Sequence, residues 1–250
     1  MACDVVGLER SSWYSVPQRK PKPEDLLIAE FLRQCVEKRP RCGFWKCYKL
    51  ARRKGFVWNH KRVYRVYRQI GLHLRRRVRY RPPAAVKQPM PTQVAPGVVW
   101  AMDFMRDTLM SGQVFRTLNL IDEFNREALA IEIDLSMPAE RVIRVLDQVK
   151  AWRALPMMIR VDNGPEFVAE ALAEWGEQNG VLLHFIPKGS PQSNSLIERF
   201  NRSFREDILD CCLFESLDEV RDAAWEWLLE YNEERPHDSL DDMTPLEYRR

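Results

Sequence analysis

A proline-rich segment, Arg81 to Gly97, limits how this chain of 250 residues can fold. It carries five prolines, at positions 82, 83, 89, 91 and 96, and no acidic residue. Because proline fixes the backbone angle φ and removes a hydrogen-bond donor, such a segment is typical of an extended linker. The sequence therefore predicts two folded units, residues 1–80 and residues 98–250, joined by a linker over residues 81–97.

The two sides of this linker differ strongly in charge. Residues 1–97 contain 23 Lys and Arg against 6 Asp and Glu, a net charge of +17, whereas residues 98–250 contain 16 against 30, a net charge of −14. A basic half of this kind favours nucleic-acid binding. The alternative is a basic half that docks on the acidic half, and the two interpretations do not exclude each other.

Helical patterns in the basic half are typical of a helix-turn-helix within about residues 40–72. Helices are predicted over residues 24–37, 44–54 and 60–70, the last capped by Asn59. The second helix of such a motif lies in the major groove of DNA. The candidate DNA contacts are cations of the third predicted helix and of the arginine run after it: Lys61, Arg62, Arg65, Arg68, Arg75, Arg76 and Arg77. A basic helix that only faces solvent is the alternative.

The acidic half has the pattern of an α/β unit. Strands are expected near residues 98–106, 114–122, 127–134, 157–161 and 182–186. Helices are expected after Ser136 with Pro138 in the first turn, from Pro165 onwards, and after Ser216, which forms a capping box with Glu219. Three early strands followed by alternating helices and strands predict a mixed sheet flanked by helices.

Three acids of this half stand where a carboxylate can face a metal ion. Asp103 interrupts an apolar strand, Asp162 ends the fourth strand, and Glu198 follows Asp162 with 35 residues between them. Three converging carboxylates repel each other unless divalent cations neutralise them, and Mg²⁺ prefers oxygen ligands. A pair of such ions is suited to displacement at a phosphodiester. Taken singly, Asp103 also suits a solvent-facing strand end, Asp162 a turn, and Glu198 a surface pair with Arg202.

Further motifs accompany these acids in a fixed order. They are Asp162–Phe167 (DNGPEF), Gly189–Pro191 with Asn194, Glu198–Asn201 (ERFN), Arg205, Tyr231–Asn232, Arg235–His237 and Thr244–Pro245. The ordered set resembles the Asp-Asp-Glu catalytic core of retroviral integrases and bacterial insertion-sequence transposases, above all the second-frame product of the IS-three family. The resemblance covers roughly residues 40–248. It implies a ribonuclease H-like core preceded by a small all-α helix-turn-helix domain.

The resemblance also implies a reaction and its cofactor. Asp103, Asp162 and Glu198 would be the catalytic residues and would hold two Mg²⁺ or Mn²⁺ ions. The enzyme would nick DNA at the ends of its element and then transfer the freed strand to target DNA. We expect a homo-oligomer on duplex DNA, with the product of an upstream frame as a fusion or partner. A plain metal-dependent nuclease and a DNA-binding relic or regulator remain as alternatives.

Four residues near Glu198 are further candidate DNA contacts. Lys188 and Asn194 belong to the loop that contacts DNA ends in the family, in which many relatives carry Lys and Gln at the positions of Ser190 and Ser193. Arg202 and Arg205 cluster with Glu198 on one face of a regular helix, since successive residues are rotated by about 100°. Arg205 would then grip a DNA phosphate two turns from Glu198.

Composition bears on compartment. No segment resembles a signal peptide, and no apolar run approaches the ~18 residues of a membrane span. The six cysteines lack disulfide spacing, so we expect reduced thiols in a cytoplasmic protein that associates with the nucleoid when bound to DNA. Cys42, Cys47 and His60 are too few for a structural zinc site. Residues 3–17 resemble a motif usually preceded by more chain, so we expect a fragment or a fusion partner.

Overall fold

Three helices form the N-terminal part of this computed structural model, which describes residues 22–73, 95–187 and 194–249. They are α1 (Pro23–Lys38), α2 (Phe44–Arg53) and α3 (His60–Gln69). The Asn59 side chain caps α3 by accepting a hydrogen bond from the Lys61 backbone N–H at 2.9 Å. The helices enclose a hydrophobic core of their own, which includes Ile28, Leu32, Cys47 and Val63. We call residues 22–73 the helical unit.

The predicted linker falls almost wholly outside the described residues, which resume at residue 95. The boundaries of the two units therefore stay predictions. Arg75, Arg76, Arg77 and Lys188 also lie outside the described residues, so their proposed DNA contacts stay predictions.

Five strands form one mixed sheet in the order β3-β2-β1-β4-β5. The strands are β1 (Val99–Thr108), β2 (Val114–Asp122), β3 (Ala128–Asp134), β4 (Met158–Val161) and β5 (Leu182–Phe185). The first three are antiparallel neighbours, whereas β4 and β5 run parallel to β1. This mixed sheet is the one predicted from the pattern, and it makes β1 the central strand.

Helices cover both faces of the sheet. One face packs against α4 (Ala139–Lys150) and α5 (Glu170–Asn179), and its hydrophobic cluster includes Trp100 and Met102 of β1. The opposite face packs against α6 (Ser195–Phe204) and α7 (Leu217–Glu233), with Ala101 and Met105 of β1. Because successive strand residues point to opposite faces, Asp103 lies on the α6 side. The chain continues through α8 (Pro245–Tyr248).

The helix expected from Pro165 begins instead at Glu170. Residues 164–168 form a turn in which the backbone N–H groups of Phe167 and Val168 donate to the Gly164 carbonyl at 3.0 and 3.1 Å. Phe167 is buried and stacks on Phe104 of β1 with ring centroids 4.6 Å apart, while Val168 is 59% exposed. The helix start predicted at Pro165 is therefore wrong, because Phe167 is buried by this tertiary stack and not by a helix face.

Two other expected helix starts differ in detail. Pro138 is the residue before α4 and has an extended conformation, so it precedes the first turn and is not part of it. The Ser216 hydroxyl accepts from the Glu219 backbone N–H at 3.3 Å, but the Glu219 carboxylate accepts from the Glu215 N–H at 2.9 Å and not from Ser216. The complete capping box of the described chain is at Thr244 and Glu247, before α8.

The helix that carries Glu198 is regular only as far as Phe204. Residues Arg205–Leu209 form a π-helical segment, in which the backbone is wider than in an α-helix. The core side of this segment is formed by Asp207 and Leu209, both buried, while Ile208 is only half-buried. The prediction of a regular helix with Glu198, Arg202 and Arg205 on one face is therefore wrong beyond Phe204.

Candidate active site

Asp103 lies in the middle of β1 and is held by two hydrogen bonds. Its Oδ1 accepts from the Phe104 backbone N–H at 2.9 Å, and its Oδ2 accepts from the Asn201 side-chain amide of α6 at 2.8 Å. The Asn201 oxygen in turn accepts from the amide of Asn119 at 2.7 Å. Asn119 is fully buried and lies opposite Asp103 in the neighbouring strand β2. Two buried amides thus fix the direction of one carboxylate.

Asp162 follows the last residue of β4 directly. Strands β1 and β4 are parallel, and Ala101 of β1 lies beside Arg160 of β4. Asp103 and Asp162 each come two residues further along the chain, so the register brings them side by side. The Asp162 Oδ1 accepts from the Gly164 backbone N–H at 2.9 Å. A Cβ atom on Gly164 would lie 3.0 Å from this oxygen, so a larger residue there would disturb the carboxylate.

Glu198 lies in the first turn of α6 and is exposed. Its neighbours Ile197 and Phe200 are buried against the sheet, which fixes the helix, and Asn201 of the same helix reaches Asp103. The three acids therefore come from three elements that meet at one side of β1.

The three acids interact electrostatically at Asp103. Burial raises the pKa of Asp103 to about 6, and the negative charges of Asp162 and Glu198 raise it as well. The hydrogen bonds from Phe104 and Asn201 lower this pKa but do not compensate. Among the described residues, none of the main influences on this pKa is a cationic side chain.

The acids do not form a closed set of ligands. Across residues 22–73, 95–187 and 194–249, no group of three or more His, Cys, Asp or Glu side chains is arranged to hold a metal ion. Of the three, Asp103 is half-buried and fixed, whereas Asp162 and Glu198 are exposed. In the helical unit the Cys47 thiol contacts the Cys42 sulfur at 3.5 Å, and His60 stacks on Trp45.

A cationic side chain sits beside this site without touching Asp103. Arg116 of β2 lies over the Phe104 ring, 4.4 Å from its centroid, and forms an ion pair with Glu166. This pair lowers the pKa of Glu166. Glu166 is thus neutralised, in contrast to Asp103.

The predicted DNA contacts on α3 separate into two pairs. Arg62 and Arg65 donate to the carboxylate of Asp25 in α1 at 2.7 and 2.9 Å, and Arg62 also pairs with Glu24. Lys61 and Arg68 line an open groove along α3 together with Tyr64, Arg65 and Gln69. Asp25 therefore orients two arginines of the predicted recognition helix.

The candidate contacts near Glu198 also differ among themselves. Arg202 is exposed on α6, and Asn194 precedes the helix. Arg205, at the start of the π-helical segment, donates to the Asp107 carboxylate at 3.0 Å and to the Arg106 carbonyl at 2.7 Å. In this structure Arg205 ties α6 to the end of β1.

Sequence reasoning missed Asn119, Asn201 and Asp25. The signal for Asn201 was its place three residues after Glu198, which puts both near one helix face. Asn119 and Asp25 gave no local signal, because their partners Asn201 and Arg62 are 82 and 37 residues away.

Models of known families match most of the chain. An HTH-like domain matches residues 22–80, and two integrase core domain models match residues 93–191 and 179–245. Within the described residues, no helix is long and apolar enough to cross a membrane.

Individual proteins agree with these matches. An uncharacterized 31.7 kDa protein of insertion element IS407 from Burkholderia multivorans is 36% identical over 247 residues, which is 99% of this chain and 88% of that protein. The transposase for insertion sequence element IS904 of Lactococcus lactis is 21% identical, covering 94% of this chain and 97% of that one. The magnesium-bound catalytic core domain of HTLV-2 integrase superposes with a TM-score of 0.50 at 17% identity, covering 63% of this chain and 99% of that one.

Proposed function

This chain belongs to the IS-three family of insertion-sequence transposases, enzymes with an integrase-type core, and from that premise we propose that it cleaves and joins DNA at the ends of its element. The observation that carries the proposal is the uncompensated charge at Asp103. Burial and two neighbouring acids raise its pKa to about 6, which is the setting in which cations bind.

The residues present fit divalent cations. The donors are carboxylate oxygens, which Mg²⁺ and Mn²⁺ prefer. Asp103, which is fixed by Asn201, would hold the ions together with Asp162 and Glu198. Because Asp162 and Glu198 are exposed, their side chains can turn towards Asp103 without breaking the core. The magnesium in the similar HTLV-2 integrase core supports the choice of cation.

Each protein group has a distinct task in the proposed reaction. When bound, the two cations would activate a water or a DNA 3′-hydroxyl and stabilise the leaving oxygen. Asn119 and Asn201 keep the Asp103 oxygens aimed at the ions. Gly164 donates its backbone N–H to Asp162 and, because it lacks a side chain, leaves that carboxylate room to turn. The side chain of Arg202, exposed one turn beyond Glu198, is positioned to contact a DNA phosphate.

The finer assignments follow from the same premise. We assign DNA binding to a helical domain over residues 1–80, a linker to residues 81–97 and catalysis to residues 98–250. The partners would be duplex DNA of the element ends and target, further copies of this chain on that DNA, and an upstream-frame product. Such a protein would act in the cytoplasm, at the nucleoid.

The test uses three isosteric variants, Asp103→Asn, Asp162→Asn and Glu198→Gln. Each should abolish Mg²⁺- or Mn²⁺-dependent cleavage and joining of element-end DNA while duplex binding is retained, because an amide keeps the shape but not the charge. Asp218→Asn, which removes an exposed acid at the start of α7, is the matched control. Full activity in any site variant would remove that residue from the site.

Two further measurements separate the alternatives. Isothermal titration of Mn²⁺ should show binding that Asp103→Asn removes, a readout that does not depend on activity. A wild-type protein that cuts but never joins a pre-cut 3′ end, even with an upstream-frame product added, would replace the transposase by a plain nuclease. A protein that binds DNA and neither cuts nor binds Mn²⁺ would be a regulator.

A further inference from the structure

The helical unit is attached to the acidic core by its own cations. Four basic side chains of α2 and the segment before it pair with acids of the core. They are Arg39, Arg41, Lys49 and Arg53. Docking of the basic half on the acidic half is thus present in the structure, alongside the open cationic groove on α3.

The pairs at α2 are geometrically good. Arg53 binds the Glu247 carboxylate with both terminal nitrogens, at 2.8 and 2.7 Å. Lys49 reaches Asp238 at 2.5 Å and also pairs with Asp242. These contacts raise the pKa of Lys49 and lower that of Glu247 to about 2. Lys49 and Arg53 of α2 are thus bound to carboxylates in the free protein.

The pairs before α2 extend the same surface. Arg41 lies 3.3 Å from Asp210 and 3.5 Å from Glu206, and Arg39 pairs with Glu230 of α7. We call the acidic partners Glu206, Asp210, Glu230, Asp238, Asp242 and Glu247 the acidic face of the core.

This attachment is mainly electrostatic. The hydrophobic cluster of the helical unit shares no residue with the two clusters of the core among the described residues. Most of the partner side chains reach water, Asp238 being 77% exposed. An exposed ion pair shifts an equilibrium only about one- to fivefold and is weakened by salt. The pairs of Arg41, Lys49 and Arg53 are therefore held reversibly, whereas Arg39 and Glu230 are largely shielded from water.

The same cations are placed to bind DNA. In a helix-turn-helix the first helix crosses the DNA backbone while the second enters the major groove. Here α2 is the first helix and α3 the second, so Lys49 and Arg53 lie on the helix expected to meet phosphates.

We propose that the acidic face of the core takes the place of DNA phosphates in the free protein, and that duplex DNA displaces it from Arg41, Lys49 and Arg53. The proposal rests on the DNA binding proposed above. Each of these three cations then exchanges a carboxylate for a phosphate, so their docking on the core competes with DNA binding. The cations of α3 would make the first contact, since their groove is open.

Zero-length carbodiimide coupling tests the docked state directly. The reagent joins the Lys49 amine to a contacting carboxylate as an amide with loss of water, and mass spectrometry of the digest identifies the link. We expect a Lys49–Asp238 or Lys49–Asp242 link in the free protein, and its loss in Lys49→Arg, since arginine does not couple. We expect duplex DNA to reduce the link at least fivefold. No link without DNA, or an undiminished link with bound DNA, would overturn the proposal.

Affinity supplies the second test. Asp238→Asn with Asp242→Asn removes both partners of Lys49, and Asn tolerates the positive φ of 64° at residue 242. The control, Asp222→Asn with Glu226→Gln, has the same net charge and changes exposed acids of α7 that take part in none of these pairs. We expect the first variant to bind duplex DNA roughly three- to tenfold more tightly than the control, from the loss of two exposed pairs.

Salt dependence distinguishes displacement from a general charge effect. The slope in question is that of the logarithm of DNA affinity against the logarithm of salt concentration. Each cation that is already free before DNA binds adds about 0.9 to the steepness of this slope, so the first variant should show a steeper slope than the control. Equal affinities and slopes in the two variants would overturn the competition. If no variant binds DNA, the proposed function fails, and the coupling of Lys49 in the free protein still reports whether the docked state exists.

Discussion

Two aspartates, Asp25 of the helical unit and Asp103 of the core, are both shielded from solvent and are treated in opposite ways. Asp25 has a side chain only 8% exposed and accepts from Arg62 and Arg65, whose hydrogen bonds lower its pKa. Asp103 accepts from an uncharged amide and faces two other acids, and burial raises its pKa to about 6. Arginines of the fold balance the charge of Asp25, whereas the described hydrogen bonds of Asp103 come from uncharged groups.

The difference shows how to tell a structural carboxylate from a functional one. Burial alone does not distinguish them, because both residues have lost much of their water. The surroundings distinguish them. Two guanidinium groups stabilise the negative charge of Asp25, whereas the partners of Asp103 do not offset the free-energy cost of burying its charge. Where an unbalanced charge lowers the stability of the folded protein, a bound cation increases that stability most.

The largest expected contrast is in catalysis. Asp103→Asn should lower Mg²⁺-dependent cleavage by on the order of 10³-fold or more, because it removes a cation ligand. Asp25→Asn should leave the rate at saturating DNA within a few-fold of wild type and raise the DNA concentration needed. Single-turnover rates against DNA concentration would separate the two effects. A large fall in the rate of Asp25→Asn at saturating DNA would contradict the contrast between a structural Asp25 and a catalytic Asp103.

Stability should change in opposite directions. At pH 7 without divalent cations, Asp25→Asn should destabilise the protein by about 1–3 kcal/mol, since it breaks a shielded ion pair. Asp103→Asn should stabilise it by about 1–2 kcal/mol, because the uncompensated charge costs more than the lost hydrogen bond contributes. Urea unfolding of both variants beside wild type measures this. Destabilisation by Asp103→Asn would mean that its charge is compensated after all.

The pH dependence follows from the signs of the two pKa shifts. Asp103 has a folded pKa of about 6, above its unfolded value of 3.8, so its ionisation costs stability above pH 6 and this cost disappears as the pH falls from 6 towards 4. Asp25 has a lowered folded pKa, so its contribution is present above pH 4 and is lost below it. The stability difference between wild type and Asp103→Asn should therefore shrink from pH 7 to pH 4, while that for Asp25→Asn stays constant until about pH 4. Unfolding curves at pH 7, 5.5 and 4 would show this.

The smallest expected effect concerns Arg205. Its ion pair with Asp107 is partly exposed, so Arg205→Ala should cost only about 0.5–1 kcal/mol of stability. If Arg205 also leaves Asp107 to hold a DNA phosphate, the variant should lower joining of a pre-cut end a few-fold more than cleavage of a single duplex. Asp107→Asn is the control, since it frees Arg205 without removing it. Equal losses of both activities would leave Arg205 with its structural contact alone.

Local patterns predicted much of this fold. Alternating and helical periodicities placed all five strands and the three helices of the helical unit within two residues of their observed ends. They failed where a tertiary contact replaced the local preference. Phe167 is buried on Phe104 in a turn and not in a helix, and the helix of Glu198 widens at Arg205 as Asp207 turns into the core beside Trp227 and Arg235.

The sequence by itself determined the order of elements, the positions of Asp103, Asp162 and Glu198 along them, and the separation of charge between the two halves. These depend on residue type and on spacing of a few residues, which the chain states directly. Only the tertiary structure decided which charges are matched: Asp25 with Arg62 and Arg65, Lys49 with Asp238, and Asp103 with an amide alone. The physical reason is that the cost of a charge depends on its neighbours in space, and here those neighbours lie 37 to 189 residues away along the chain.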